Sequence, residues 1–200
     1  VRDADGVIAY YEQQAPPLVA TEAEVLVIQA DGKGMPIIKA KATESPVRLS
    51  KGQKRGRKKE AIVTTAYTIA PAPRTADAVL ASYYKLSDVS APDPPSPSKP
   101  YNKHIWATLE GKDTALERLT QHVTARMGDH LQHRVALCDG CEALQTRITH
   151  YFPDFNQILD FIHANEYLWD VANVLLGESS AERLPWMVAH TRQLLTGQAQ

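Results

Sequence analysis

The sequence predicts an α/β protein in which helices flank a mixed β-sheet. Three strand-like segments come first, and strands then alternate with helices through the second half of the 200-residue chain. That order is typical of a sheet that contains both antiparallel and parallel strands. With 44% hydrophobic residues, a chain of this length can bury one sizeable core.

In the first half, a polar leading segment of residues 1–22 precedes the first strand. Residues 24–34 form an apolar run that ends in Asp-Gly-Lys-Gly, which predicts a strand buried on both faces. Residues 35–40 are expected to be its hairpin partner. The β-branched and aromatic residues of 60–70 predict another strand, and the apolar spacing within 75–86 predicts a short helix.

The second half is more regularly patterned. Thr114 and Glu117 form a capping box that predicts the start of a helix, and Gly128 predicts its end. Pro185 suits the first turn of a further helix. The other predicted elements are strands at 104–109, 133–138 and 155–162, a helix at 142–151, and a helix at 163–176 whose Ala164, Tyr167, Leu168, Val171 and Leu175 face the core.

Composition narrows the possible functions. The 22 basic residues balance 23 acidic ones, so affinity for nucleic acid would have to come from local clusters. No apolar run approaches the ~18–20 residues that cross a bilayer, and two cysteines favour a reducing compartment over a disulfide framework. We expect a core over residues 23–177 with a proline-rich insertion at 87–100, and the start of a helical insertion region at 178–200.

Two aspartates have similar sequence surroundings. Asp31 ends the run VLVIQAD, Asp139 ends RVALCD, and a glycine follows each. An apolar strand that ends in Asp-Gly places the carboxylate at the sheet edge, where the glycine lets a phosphate approach. Two such carboxylates on adjacent strands can hold Mg²⁺ or Mn²⁺, and a pair of ions promotes phosphodiester chemistry. The alternative is that Asp-Gly is simply a turn signal.

The two cysteines flank Asp139 in the segment CDGC. A structural zinc site needs four ligands, and neither a second CxxC nor an HxxxH pair accompanies them. A redox pair is the second alternative. We expect instead that Cys138 is a core residue of the strand and that Cys141 lies in the first turn of the next helix.

Asp160 and His163 lie where the last predicted strand meets its helix. Asp160 either orients the imidazole or lies near the bound metals. Alternatively, Asp160 is a local helix cap and His163 is a residue at the start of the helix. Glu166 is one helical turn beyond His163 and either faces the same way or is a solvated charge.

A basic, glycine-containing loop precedes the strand predicted at 60–70. Such a cluster suits contact with a phosphate backbone, although charged loops are also common as solvated surface. Its cationic residues are Lys51, Lys54, Arg55, Arg57, Lys58 and Lys59.

Five segments, taken in order, resemble the DDE transposases of bacterial insertion sequences, most closely the ISKra type. They are ADGKGMP, GRKKEAIVTTAYTIAPAPRT, NKHIWATLEG, ALCDGCEALQ and LDFIHANEYLW, and they span about residues 24–177 with agreeing spacing. The resemblance implies a ribonuclease-H-like fold with a mixed five-stranded sheet flanked by helices, C-terminally incomplete in this chain. It also implies an enzyme that cuts and rejoins DNA ends with two divalent ions, Mg²⁺ or Mn²⁺.

By this resemblance, Asp31 matches the first catalytic aspartate and Asp139 the second, and both would be metal ligands. Asp160 and His163 match a Cys/Asp-x-x-His signature of related transposase superfamilies. The implied partners are transposon-end DNA, target DNA and a second protomer, in the bacterial cytoplasm at the nucleoid. The family's third acid, a glutamate on a later helix, has no match here. We expect it beyond Gln200, and this chain alone to be inactive.

Three alternatives stay open. The chain is a nuclease of the same fold that does not transpose, a non-catalytic DNA-binding relic of a transposase, or a zinc or redox protein built on Cys138 and Cys141. Joined DNA ends indicate a transposase, simple nicks a nuclease, and metal-independent binding a relic.

Overall fold

The computed structural model describes residues 15–36, 58–86 and 98–198. These ranges contain five strands and five α-helices. The strands are β1 (Val25–Pro36), β2 (Lys58–Ile69), β3 (Tyr101–Thr108), β4 (His133–Cys138) and β5 (Asn156–Leu159). The helices are α1 (Ala76–Tyr84), α2 (Lys112–Thr124), α3 (Glu142–Tyr151), α4 (Phe161–Leu176) and α5 (Arg183–Leu195).

The five strands form one mixed sheet in the order β3-β2-β1-β4-β5. β1 and β3 are both antiparallel to β2, whereas β1, β4 and β5 run parallel to one another. This order and polarity are those of a ribonuclease-H-like sheet, with helices connecting the parallel strands. The predicted fold class, α/β with a mixed five-stranded sheet flanked by helices, is confirmed.

The core lies on one face of the sheet, beneath α2 and α3. Leu26, Ile28 and Ala30 alternate along β1 toward this face and are buried. Burying a large aliphatic side chain contributes roughly 1.5–3 kcal/mol, so this face accounts for much of the stability. The helical members of the core are Leu116, Leu119, Val123, Leu144 and Ile148, at the spacing expected of helix faces.

A second group of helices is joined by buried polar side chains. α5 packs against both α1 and α4. The Tyr84 hydroxyl lies 3.0 Å from Asn165 Oδ1 and 2.7 Å from Thr191 Oγ1, and Asn165 Nδ2 donates to Thr191 Oγ1 at 2.8 Å. Asn165 and Thr191 are fully buried. Because each polar group finds a partner, the network links one residue from each of the three helices in one arrangement.

β4 and α3 have the predicted bounds, and Pro185 lies in the first turn of α5 as predicted. None of the helices in the described ranges is long and apolar enough to cross a membrane. Residues 1–14 of the leading segment and 87–97 of the proline-rich segment lie outside the described residues.

The prediction that residues 35–40 form a hairpin partner of β1 is wrong for Met35 and Pro36, which are the two of these residues that the structure describes. Met35 and Pro36 continue β1 and pair with Lys59 and Lys58 of β2, and residues 37–40 lie outside the described ranges. β2 is twelve residues long and pairs with the whole of β1. Asp-Gly and Lys-Gly favour turns locally, but pairing with β2 keeps residues 31–34 in an extended strand.

The capping box predicted at Thr114 is also wrong. α2 begins at Lys112 with Gly111 as its N-cap, so Thr114 lies within the first turn. Gly111 has a φ of 106°, which a residue with a side chain rarely adopts. The chain turns at this glycine, so the helix begins at Lys112 and not at the predicted capping box. α2 then ends at Thr124, four residues before Gly128.

The face of α4 predicted to be buried is wrong. Tyr167, Val171 and Leu175 are 64%, 45% and 65% exposed, whereas Asn165 and Ala172 are buried. α4 has apolar residues around most of its circumference, so their spacing did not identify the packed side. The polar contacts of Asn165 with α1 and α5 decide the orientation instead. β5 is also shorter than residues 155–162, because α4 already begins at Phe161.

Candidate functional site

Asp31 lies inside β1 and is not at the strand's end. It pairs with Val63 of β2, and β1 continues for five more residues to Pro36. The prediction that Asp31 ends its strand is therefore wrong. On its other side, however, β1 pairs with β4 only as far as Gln29 and Leu137. Asp31 lies two residues beyond the point where this parallel pairing stops, and its side chain is exposed.

A side chain at Gly32 would contact only the exposed end of the Glu60 side chain. A Cβ at this position would lie 2.6 Å from Glu60 Oε1, and Glu60 forms an ion pair with Lys112 at the start of α2. The backbone at Gly32 is extended strand, paired with Ile62, so it does not form a turn. The glycine after Asp31 therefore accommodates the side chain of a neighbouring strand.

Asp139 directly follows β4, as predicted. Its Oδ1 accepts a hydrogen bond from the Cys141 backbone N–H at 2.9 Å. Gly140 between them has a φ of 91°, in the left-handed region that favours glycine. The turn holds the Asp139 carboxylate beside the N-terminus of α3, which begins at Glu142.

Asp31 and Asp139 share one edge and one face of the sheet. The last paired residues of β1 and β4 are Gln29 and Leu137. Asp31 lies two residues further along β1, and Asp139 lies two residues further along the chain, directly after β4. Neighbouring strands are about 4.8 Å apart. Ala30 and Cys138 point into the core under α2 and α3, so both aspartates belong to the opposite face. The strand register thus aligns two carboxylates that are 108 residues apart in sequence.

Asp160 continues this row directly after β5. Cys138 pairs with Leu159, and the Asp160 backbone N–H donates to the Cys138 carbonyl at 2.7 Å. The register therefore aligns Asp160 with Asp139, just as it aligns Asp139 with Asp31. Three aspartates are therefore aligned at the same edge, one within β1 and one directly after each of β4 and β5.

The side chain of Asp160 caps α4. Its Oδ1 accepts a hydrogen bond from the Ile162 N–H at 2.8 Å, which is the local-cap alternative. Its Oδ2 also lies 3.7 Å from His163 Nδ1, so the carboxylate faces the imidazole as well. The two roles considered for Asp160, helix cap and neighbour of His163, are therefore compatible.

Glu166 interacts with α1. Burial raises the pKa of Tyr83, and the nearby Tyr84 and the Glu166 carboxylate raise that pKa further. Tyr83 also contacts Phe161 edge-to-face, with 5.4 Å between ring centroids. Glu166 is thus an exposed acid close to α1.

The donor chemistry of Asp31 and Asp139 fits a divalent cation. Mg²⁺ prefers oxygen ligands and is commonly held by one or two carboxylates together with water and substrate phosphates. Asp31 is exposed and Asp139 partly exposed, and the one N–H bonded to Asp139 leaves lone pairs for a cation. Within the described ranges, no three His, Cys, Asp or Glu side chains lie close enough to hold a metal ion.

The cysteines of CDGC have structural positions. Cys138 is a buried member of the core, and burial, followed by the charge of Asp139, raises its pKa. A thiol with a raised pKa stays protonated, and the thiolate is the form that binds metals or attacks disulfides. Cys141 is the N-cap residue of α3, one position before the predicted first turn. Both thiols are free.

The basic loop is described only in part. Lys58 and Lys59 are exposed at the start of β2, where β2 pairs with the end of β1. Lys51, Lys54, Arg55 and Arg57 lie outside the described residues. Lys33 was not identified from sequence, although it is exposed on β1, two residues beyond Asp31 and so on the same side of the strand. Because residues two apart in a strand lie on the same face, the position of Lys33 relative to Asp31 could have identified it from the sequence.

No protein-family model matches the chain, and no curated protein matches it with significant similarity. The class of protein follows from its fold and from the row of aspartates. The chain is a ribonuclease-H-like α/β domain with acidic residues at the edge where the parallel pairing of its strands stops.

Proposed function

We propose that this chain is part of the catalytic domain of a DNA transposase that cleaves and rejoins DNA at transposon ends. The observation that carries the proposal is the alignment of Asp31, within β1, with Asp139, directly after the adjacent parallel strand β4, at one edge and on one face. The pairing of β1 with β4 brings these two carboxylates to neighbouring positions, although they are far apart in the sequence. The resemblance of five ordered segments to DDE transposases agrees with it.

In this proposal, Asp31 and Asp139 hold two divalent cations, Mg²⁺ or Mn²⁺. When bound, the ions activate the attacking oxygen and stabilise the leaving oxygen of a phosphodiester. Water first cleaves the phosphodiester and releases a 3′-hydroxyl, and that hydroxyl then attacks a phosphodiester of the target DNA. Each step breaks one P–O bond and forms another, so neither needs an external energy source.

The remaining residues have supporting roles in the proposal. Asp160 adds negative charge next to Asp139 and orients His163, whose Nδ1 lies 3.7 Å from the carboxylate. The basic loop, from Lys51 to Lys59, contacts the phosphate backbone. Transposon-end DNA, target DNA and a second protomer are the partners, at the bacterial nucleoid.

The test uses the full-length protein and a duplex that carries a transposon end. Asp31→Asn and Asp139→Asn are each expected to abolish Mg²⁺-dependent cleavage while DNA binding survives, because the carboxylates act on the metal rather than on DNA affinity. Asp154→Asn is the matched control, since Asp154 is an exposed aspartate in the turn before β5. Undiminished cleavage by either Asp31→Asn or Asp139→Asn would overturn the proposal.

The products separate transposition from the alternatives. Covalently joined donor and target ends support a transposase. Nicks without joining would assign the same aspartates to a nuclease. DNA binding without metal-dependent cleavage by the full-length protein would indicate a non-catalytic relic.

A further inference from the structure

β1 and β2 extend beyond the rest of the sheet as a pair. The pairing of β1 with β4 stops at Gln29, and the pairing of β2 with β3 reaches only to Ile62. Residues 32–36 nevertheless remain paired with residues 58–62. Among the described residues, no third strand pairs with residues 32–36 or with residues 58–61. We call residues 32–36 with 58–61 the ribbon.

The ribbon carries a local excess of positive charge. Lys33, Lys58 and Lys59 are exposed on it. Its one acidic residue, Glu60, forms an ion pair with Lys112 of α2, which balances that carboxylate. The exposed lysines therefore give the ribbon a net positive charge in a chain whose formal charge is −1.

The ribbon also begins next to the candidate site. Lys33 lies two residues beyond Asp31 and on the same side of β1, and a strand advances about 3.4 Å per residue. The two Cα positions are therefore separated by roughly 7 Å along the strand. A phosphate group bound near Asp31 would have its neighbour in the same DNA strand within reach of the Lys33 ammonium.

We propose that the ribbon lies in a groove of duplex DNA beside the phosphodiester that Asp31 and Asp139 act on, with Lys33 contacting an adjacent phosphate. This inference rests on the proposed function and adds the DNA-binding element and its position. A two-stranded β-ribbon has the dimensions that fit the major groove. Lysines supply the phosphate contacts that fix register on the duplex.

The lysines have one alternative explanation. Exposed strand edges are commonly protected from pairing with other chains by lysines. In that case the lysines would keep the protein soluble and would contribute little to DNA affinity. The two explanations differ in how affinity for DNA depends on salt.

The experiment measures binding of the full-length protein to a fluorescent 30-base-pair duplex over a series of salt concentrations. Lys33→Ala, Lys58→Ala and Lys59→Ala are made singly and together. Lys103→Ala is the matched control, since Lys103 is an exposed strand lysine in β3, where β3 pairs with the far end of β2. Far-ultraviolet circular dichroism confirms that each variant is folded.

Each single variant is expected to reduce the slope of log affinity against log salt by about one, and the triple variant by about three. At 0.15 M salt, each lost phosphate contact is expected to weaken binding roughly five-fold. Lys103→Ala should leave both quantities unchanged. A triple variant with the wild-type salt slope would overturn the ribbon assignment, as would an equal loss in Lys103→Ala.

Asp31→Asn in the cleavage assay with a transposon-end duplex, run beside the salt series, separates this inference from the proposed function. Cleavage that depends on Asp31, with an unchanged salt slope in the triple variant, leaves the proposed function intact and removes the ribbon. A reduced slope in the triple variant, with cleavage absent or independent of Asp31, keeps the ribbon as a DNA contact and removes the transposase.

Discussion

Arg126 and Glu22 form a buried ion pair, with 2.6 Å between Arg126 Nη2 and Glu22 Oε1. Both side chains are almost completely excluded from solvent, and Arg126 Nη1 also donates to the Asn102 carbonyl at 3.2 Å. The two residues are 104 positions apart in the chain. The pair therefore joins the segment before β1 to the turn after α2 and to β3.

Removing one member of this pair should be costly. Arg126→Met is expected to lower the free energy of unfolding by about 3–5 kcal/mol, because Glu22 is then buried without its counter-charge. Urea denaturation measures the change. Combining Arg126→Met with Glu22→Leu is expected to lose less than Arg126→Met alone, since no charge then stays buried. A larger loss in the double variant would contradict this explanation.

The stacked imidazoles of His104 and His122 predict a loss of stability in acid. Their ring centroids are 4.0 Å apart. Burial, and then the charges of His104 and Arg126, lower the pKa of His122 to about 4. The unfolded chain, with a histidine pKa near 6.5, binds more protons between these values. Stability contributed by neutral His122 is therefore complete above about pH 6.5 and is lost as the pH falls toward 4.

His122→Gln is expected to flatten this pH dependence between pH 6.5 and 5. The change should be on the order of 1–2 kcal/mol, because partial exposure of the ring weakens the effect. Urea denaturation across this pH range measures it. His150→Gln is the control, since His150 is exposed on α3. An equal flattening in His150→Gln would show that the effect is not specific to the stacked pair.

The two Asp-Gly pairs should respond differently to alanine. Gly140→Ala is expected to lower the free energy of unfolding by about 1–2 kcal/mol, because Gly140 has a φ of 91°. Gly32→Ala should change it by less than about 1 kcal/mol. Its Cβ displaces only the exposed end of Glu60, and the alanine offsets this by restricting the unfolded chain. Thermal unfolding of both variants tests this order, and a greater loss in Gly32→Ala would reverse it.

These contrasts show what local sequence can predict here. β4, Asp139 and α3 were predicted in place, because an apolar run, a glycine turn and a helix start follow one another directly in the chain. Asp31 was correctly assigned to the first strand, but the end of that strand was not predicted. β1 is prolonged by pairing with β2, more than twenty residues away, which no local pattern reports.

The alignment of the acids also depends on tertiary structure. Asp31, Asp139 and Asp160 were each identified as candidates, but their common row follows from the register of β1, β4 and β5. The orientation of α4 depends in the same way on Asn165 bonding to residues of α1 and α5. Helical periodicity identified α4 but not its buried side, because apolar residues surround it.

The two roles of Asp160 can be separated by two substitutions. Asp160→Asn keeps an oxygen that can cap α4, so stability should change by less than about 0.5 kcal/mol, whereas Asp160→Ala should cost about 1 kcal/mol. If the charge supports Asp139 and His163, Asp160→Asn should still slow cleavage by about 10–100-fold. Cleavage rates at saturating DNA, beside urea denaturation, make the comparison. Full activity in Asp160→Asn would reduce Asp160 to a helix cap.

The most direct test of the central claim is whether Asp31 and Asp139 bind the same metal. Mn²⁺ binding to the full-length protein with transposon-end DNA can be followed by the paramagnetic resonance of free Mn²⁺. Asp31→Asn and Asp139→Asn are each expected to weaken binding, and the double variant to be little weaker than either, because ligands of one ion are not additive. Binding as tight as wild type in both single variants would contradict the assignment.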